Sequence, residues 1–171
     1  CPELAAPLSR APRILGTFQR LIAENLLAPS STVRFSGGEP TLSPEFEQVL
    51  KLLIDHGVHC VVYSNGTTCS QAIMEGLARD KIELVLGVDA ATSETYKAIK
   101  KMNYNERVWQ NVAKYFAARP PNAVNKVWAK FIFCIENYRE AELFVRRAAE
   151  AGVTHVYYAF DGSRVDPQAL R

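Results

Sequence analysis

Five short runs rich in β-branched and aromatic residues recur along the chain: VRF at 33–35, HCVVYS at 59–64, ELVLGV at 83–88, KVWAKFIFCI at 126–135 and THVYYAF at 154–160. Most are nearly continuous apolar runs, the pattern of strands covered on both faces in a parallel sheet. Segments with helical periodicity separate them. In the clearest, Ser43 is placed to cap and Pro44 to stand at the first helical position, where a missing N–H costs nothing. Phe46, Val49, Leu50, Leu53 and Ile54 then share one face, and Gly57 closes the segment. Asn137 with Glu140 makes a capping-box-like start for a helix carrying Ala141, Phe144, Val145 and Ala148, closed by Gly152. Ser70, Ser93 and Asn105 are placed to cap three more helices, and residues 11–28 read as an amphipathic helix ahead of the first strand. Pro120, Pro121 and Asn122 mark a loop inside the longest crossover.

Helices alternating with strands through short links predict parallel strands joined by right-handed crossovers, in one α/β domain over 1–171. Opening on a helix is unusual for such a series, because a helix normally has a strand before it. Composition changes this picture little. The 171 residues, 48% hydrophobic and 22% charged, give an ordinary globular balance with enough chain for a real core. A net charge of +2, with no dense Lys/Arg run, argues against nucleic acid as a partner. No apolar stretch is long enough to span a membrane, and no secretory signal pattern stands at the start. Cys1, Cys60, Cys69 and Cys134 are too irregularly spaced for a zinc site or a disulfide framework. They read as reduced thiols of a cytoplasmic protein, with Cys60 and Cys134 buried and inert inside strand-like runs.

Ligands of parallel sheets bind at the carboxyl ends of the strands, so those ends carry the candidate chemistry. They read Ser36-Gly37-Gly38-Glu39-Pro40, Ser64-Asn65-Gly66-Thr67-Thr68, Asp89-Ala90-Ala91-Thr92, Glu136-Asn137 and Asp161-Gly162-Ser163-Arg164. Turns collect such residues without any ligand, so Asn65-Gly66 is equally a turn signal and Asp89 equally a capping residue. Gly37-Gly38-Glu39 says more. Paired glycines permit positive φ and close approach of a ligand to the backbone, and Glu39 is an acceptor suited to a cationic amine. Neither a P-loop nor G-x-G-x-x-G is present. His56, His59 and His155 fall at helix ends or strand starts, the wrong end of the sheet for hydrolase or aldolase chemistry.

FSGGEPTLSPEFEQVLKLL, VVYSNGTT and LVLGVDAATSETYKAIKK, in that order, resemble the core of the radical S-adenosylmethionine (radical SAM) enzymes over roughly residues 11–162. The resemblance implies a partial (βα)6 TIM-like barrel, here with five strands and without its first. It implies a [4Fe–4S] cluster that reductively cleaves S-adenosylmethionine to a 5′-deoxyadenosyl radical, which takes hydrogen from substrate, with a reductant for the cluster as partner. Gly37, Gly38 and Glu39 would bind the cofactor's amino group, and Ser64 and Asn65 would stand on a contacting rim. Asp89 would lie near its ribose or carboxylate, although Gly87 stands where the family often has Ser. Lys130 would meet the carboxylate; snorkelling to solvent is the other reading of that residue.

The family holds its cluster with three thiolates in C-x-x-x-C-x-x-C, and this sequence has no such motif. Cys1 precedes the first helix by about the interval of the third family cysteine, so the expectation is a chain starting at that ligand, open at the edge of strand 33–36 and dimerising through it. An exposed Cys1 of no function is the alternative. Such a chain is expected to be inactive as it stands. A cluster-free barrel that binds S-adenosylmethionine or another amine-bearing ligand is the second functional reading. Substrate and reaction type are not legible.

Overall fold

The computed structural model describes residues 14–160. Helix α1 (Ile14–Ala23) leads into β1 (Thr32–Phe35), and α2 (Phe46–Asp55) into β2 (His59–Ser64). Helix α3 (Gln71–Ala78) precedes β3 (Ile82–Gly87). Two helices, α4 (Ser93–Lys100) and α5 (Asn105–Ala117), fill the crossover to β4 (Val127–Phe133), and α6 (Ala141–Glu150) leads to β5 (His155–Phe160). All four strand pairings are parallel, in the order β1-β2-β3-β4-β5. The parallel (βα) arrangement is the one expected from the alternating pattern, and the open sheet of five described strands agrees with the partial barrel that the resemblance implies.

Strand residues alternate between two faces. One face carries Cys60 and Val62 of β2, Leu84 and Leu86 of β3, and Ala129 and Phe131 of β4, all fully buried. The helices pack there: α2 contributes Phe46, Val49, Leu50, Leu53 and Ile54, the set predicted from periodicity, and α5 contributes Val108, Val112 and Tyr115. The other face carries Tyr63, Glu83, Val85, Gly87, Trp128, Lys130 and Tyr157, brought side by side by the registers Tyr63↔Val85, Val85↔Trp128, Gly87↔Lys130 and Lys130↔Tyr157. No helix among the described residues is long and apolar enough to cross a membrane.

Several helix starts differ from expectation, each because a side chain is spent elsewhere. Ser43 does not cap α2. Glu39 caps a short 3-10 turn, Pro40–Leu42, and Ser43 ends it, its N–H donating to the Pro40 carbonyl, so that α2 begins only at Phe46. Thr92 rather than Ser93 caps α4, accepting from the Thr95 amide. Asn105 is the first residue of α5, not its cap, and is buried with its amide donating to the Ala90 carbonyl. Asn137 and Glu140 form no capping box, since Glu140 reaches across to α4. Ser70 does cap α3, accepting from Ile73 N. Val145, placed on the buried face of α6 by periodicity, is 44% exposed, while Phe144 and Ala148 carry the packing.

Candidate functional site

The loop after β1 is built by its two glycines. Gly37 and Gly38 both have positive φ, +84° and +57°, and a Cβ added to either would meet nothing within 4 Å. The left-handed backbone is thus combined with open space on the side where a ligand would approach. Glu39 is bonded by the chain itself. Its Oε1 accepts from the Thr41 amide (3.2 Å), the Thr41 hydroxyl (2.7 Å) and the Ser64 hydroxyl (2.9 Å), and its Oε2 accepts from the Asn65 amide at 2.6 Å. The carboxylate therefore ties the β1 loop to the end of β2.

The end of β2 is fixed from both sides. Ser64, 6% exposed, also accepts from the Gly66 amide, and Asn65 Oδ1 accepts from the amide and hydroxyl of Thr67. From α5, the buried Asn111 donates its amide to the Gly66 carbonyl. The Tyr115 hydroxyl accepts from Ser70 N and donates to the Thr68 carbonyl. Burial pushes the Tyr115 hydroxyl well above the usual phenol range, which keeps the proton it donates. Neither α5 side chain was predicted as part of the site. Both partners lie some 45 residues away in sequence, and on a helical wheel each reads as an ordinary core position.

At the end of β3, Asp89 has φ +59°, in the left-handed region that a short polar side chain tolerates. It is 5% exposed. Its Oδ1 accepts from the Ile132 amide at 2.8 Å, and its Oδ2 pairs with Lys100 Nζ at 2.5 Å. Asn137, wholly buried, completes the joint: its amide nitrogen donates to the carbonyls of Asp89 and Ile132, and its oxygen accepts from Cys134 N. Those bonds take the backbone groups that would have carried β4 onward, so the strand ends at Phe133 rather than at 135. Asp89 is thus a structural joint as well as a rim residue.

Between these ends lies a cavity of about 210 Å³ lined by Gly38, Tyr63, Ser64, Asn65, Val85, Gly87, Asp89, Lys100, Lys130 and Ile132. Five of the sequence-predicted residues, Gly38, Ser64, Asn65, Asp89 and Lys130, meet there. Glu39 adjoins the cavity through its bonds to Ser64 and Asn65. Lys130 is half-buried and finds no acidic partner among the described residues. Its ammonium stands 5.7 Å from the Tyr157 ring centroid, beside Gly87 in register. The departure at Gly87 leaves room: a Cβ there would make only ordinary contacts, 3.8 Å from the Ser64 carbonyl and 3.9 Å from Asp89 Oδ2. Lys100 is the lining residue that sequence reasoning passed over, because a Lys in the last turn of a helix reads as a solvated end.

The donor set fits a small zwitterion better than a metal. An open glycine cradle, an uncompensated ammonium and a row of polar strand ends suit the amino-acid portion of S-adenosylmethionine. An iron–sulfur cluster does not fit the described residues, which include no group of three His, Cys, Asp or Glu able to hold a metal. Cys60 is fully buried at the start of β2, away from the site, and burial pushes its thiol up to about 12. Cys134 is buried, and burial likewise raises its thiol, while Cys69 is exposed on the rim alone. Cys1 lies outside the described residues, as does the strand end at 161–164.

Comparison with known proteins bears on the same region. The family model of the Radical SAM superfamily matches residues 18–129, from α1 into β4. No curated protein matches the chain. Among solved structures, SuiB of Streptococcus suis bound to S-adenosylmethionine superposes with a TM-score of 0.61 at 16% identity, covering 89% of this chain and 34% of SuiB. Native anSMEcpe with bound AdoMet and Kp18Cys peptide gives 0.64 at 16%, over 90% of this chain and 43% of that one. TYW1 with a lysine-pyruvate adduct bound gives 0.61 at 19%, over 91% and 52%. The chain therefore spans a third to a half of the length of these structures. At such identities the likeness is one of fold, and it covers most of this chain. The chain belongs to the radical SAM superfamily.

Proposed function

We propose that this domain supplies the S-adenosylmethionine-binding wall of a radical SAM enzyme, with the cofactor's amino-acid portion in the cavity at the carboxyl ends of β1 to β4. The observation that carries the reading is the meeting of Gly38, Ser64, Asn65, Asp89 and Lys130 around one open cavity, in a loop whose two glycines have open space within 4 Å of where a Cβ would stand. Glu39 Oε2 spends one lone pair on the Asn65 amide and keeps a second for the cofactor's ammonium. Ser64 and Asn65 are held in place by that same carboxylate and line the cavity beside it. Lys130 faces the cofactor's carboxylate with a charge that no described acid neutralises. Asp89 fixes the β3 end against β4 and presents the rim near the ribose.

In the family, bound S-adenosylmethionine supplies a 5′-deoxyadenosyl radical when a [4Fe–4S] cluster delivers an electron. No group of three His, Cys, Asp or Glu among the described residues could hold that cluster, and the part proposed for these residues is binding and orientation. SuiB in complex with the precursor peptide SuiA, and anSMEcpe with the Kp18Cys peptide, are relatives in fold that accept peptides. A peptide-linked substrate is the class we propose for this protein. Calorimetric titration of the chain with S-adenosylmethionine tests the wall directly: saturable one-site binding is expected, weakened by Lys130→Gln and by Gly38→Val. Absence of binding by the wild-type chain refutes the proposal.

A further inference from the structure

Lys100 is in the cavity but outside the set that a strand-end pattern picks out. It stands in the last turn of α4, its side chain 29% exposed, and its ammonium pairs with Asp89 Oδ2. An ammonium has three N–H donors. Asp89 takes one, and the Lys100 ammonium makes no second hydrogen bond to a described residue. The Asp89 carboxylate is itself shared, since Oδ1 is bound to the Ile132 amide. The Lys130 ammonium, from β4, lines the same cavity and has no hydrogen bond or ion pair among the described residues. The cavity walls thus carry two ammonium groups and one carboxylate, leaving one positive charge uncompensated and several N–H donors unspent.

We infer that Lys100 is a second carboxylate-recognising residue of this cavity. Together with Lys130, which lines the same cavity, it meets the carboxylate of the bound amino-acid portion, while Asp89 holds its ammonium in position. The inference rests on the proposed S-adenosylmethionine site and adds to it a residue from the crossover helix rather than from a strand end. A buried Asp89 needs a cation nearby, and a Lys pinned at its head loses less freedom on binding than a free one. The arrangement therefore gives a preorganised donor rather than a mobile surface chain.

The test compares two ligands on the same chain: S-adenosylmethionine and its decarboxylated analogue, which keeps the sulfonium, amine and nucleoside but has no carboxylate. The wild-type chain is expected to prefer S-adenosylmethionine. Lys100→Gln is expected to weaken S-adenosylmethionine roughly tenfold, the scale of one charge-assisted hydrogen bond, and to leave the analogue unchanged. Lys100→Arg, which keeps the cation, should restore most of the preference. Should Lys100→Gln fail to fold because Asp89 is left unpaired, Lys100→Gln with Asp89→Asn removes both charges and carries the same comparison. Equal loss for both ligands would mean that Lys100 acts only through Asp89, and that overturns the inference. A preference abolished by Lys130→Gln but untouched by Lys100→Gln also overturns it and leaves the cofactor site standing. A wild-type chain that binds neither ligand removes the site and the inference together.

Discussion

Replacing Glu39 with Gln isolates the bracing role of the carboxylate from its role toward a ligand. Four donors from the chain itself meet Glu39: the Thr41 amide and hydroxyl and the Ser64 hydroxyl at Oε1, and the Asn65 amide at Oε2. A glutamine keeps the first three if its carbonyl oxygen takes the place of Oε1. Its NH2 group then faces the Asn65 N–H, donor against donor, where a 2.6 Å bond had been. The loss is one charge-assisted hydrogen bond, about 1.5–3 kcal/mol. For a domain of this size that is a fall in melting temperature of roughly 3–12 °C. Thermal unfolding followed by circular dichroism reads the fall, and titration with S-adenosylmethionine on the same sample reads the site. Ser64→Ala, which removes one of the three bonds at Oε1, should lower the melting temperature less. If Glu39→Gln melts with the wild type while binding is lost, the carboxylate serves the ligand alone and the bracing argument is wrong.

Glu140 carries a pH dependence. Burial raises its carboxyl, but hydrogen bonds from the Thr92 and Thr95 hydroxyls and the Ala91 and Thr92 amides outweigh that and hold it below the usual carboxylate range. A lowered folded pKa means stability that is fully present above the unfolded value of about 4.3 and lost as pH falls through the folded one. Urea midpoints should therefore drop more steeply below about pH 5 in the wild type than in Glu140→Gln; parallel acid limbs would exclude Glu140 as the source. Gly38→Ala should cost only about 1–2 kcal/mol of stability, the strain of a left-handed Cβ residue, because no neighbour obstructs the methyl. Its affinity for S-adenosylmethionine should fall further than that stability loss explains, and unchanged affinity would place the ligand elsewhere. Alkylation of the native chain at pH 8 should modify Cys69 long before Cys60 or Cys134, as peptide mapping by mass spectrometry would show; fast labelling of Cys60 would contradict its burial.

The strands were legible because burial writes itself as local pattern. HCVVYS at 59–64 is β2 to the residue, and the five apolar positions of α2 are the buried ones. Boundaries failed where a polar side chain serves a distant element. Asn137 looks like a helix cap in sequence, and it is the joint between β3 and β4. Glu140 looks like its capping partner, and it holds the start of α4, 45 to 49 residues away. The strand-end residues of the site were readable because the parallel sheet places every strand end on one rim. Lys100 and Tyr115 were not, because they reach that rim from helices, and helical periodicity says which face is buried but not which long side chain extends past the core.

The strand order has a consequence for how the chain is made. Among the described strands, each one after β1 pairs with the one synthesised just before it. As the chain leaves the ribosome, β2 can dock on β1, β3 on β2, and so on, each step closing one crossover loop of modest length. The cavity follows another schedule. Its walls come from the loop after β1 and from Lys130 and Ile132 on β4, so the rim stays unfinished until the fourth strand is laid down. A ligand for this site meets a nascent chain that already has most of its core but not yet its binding pocket.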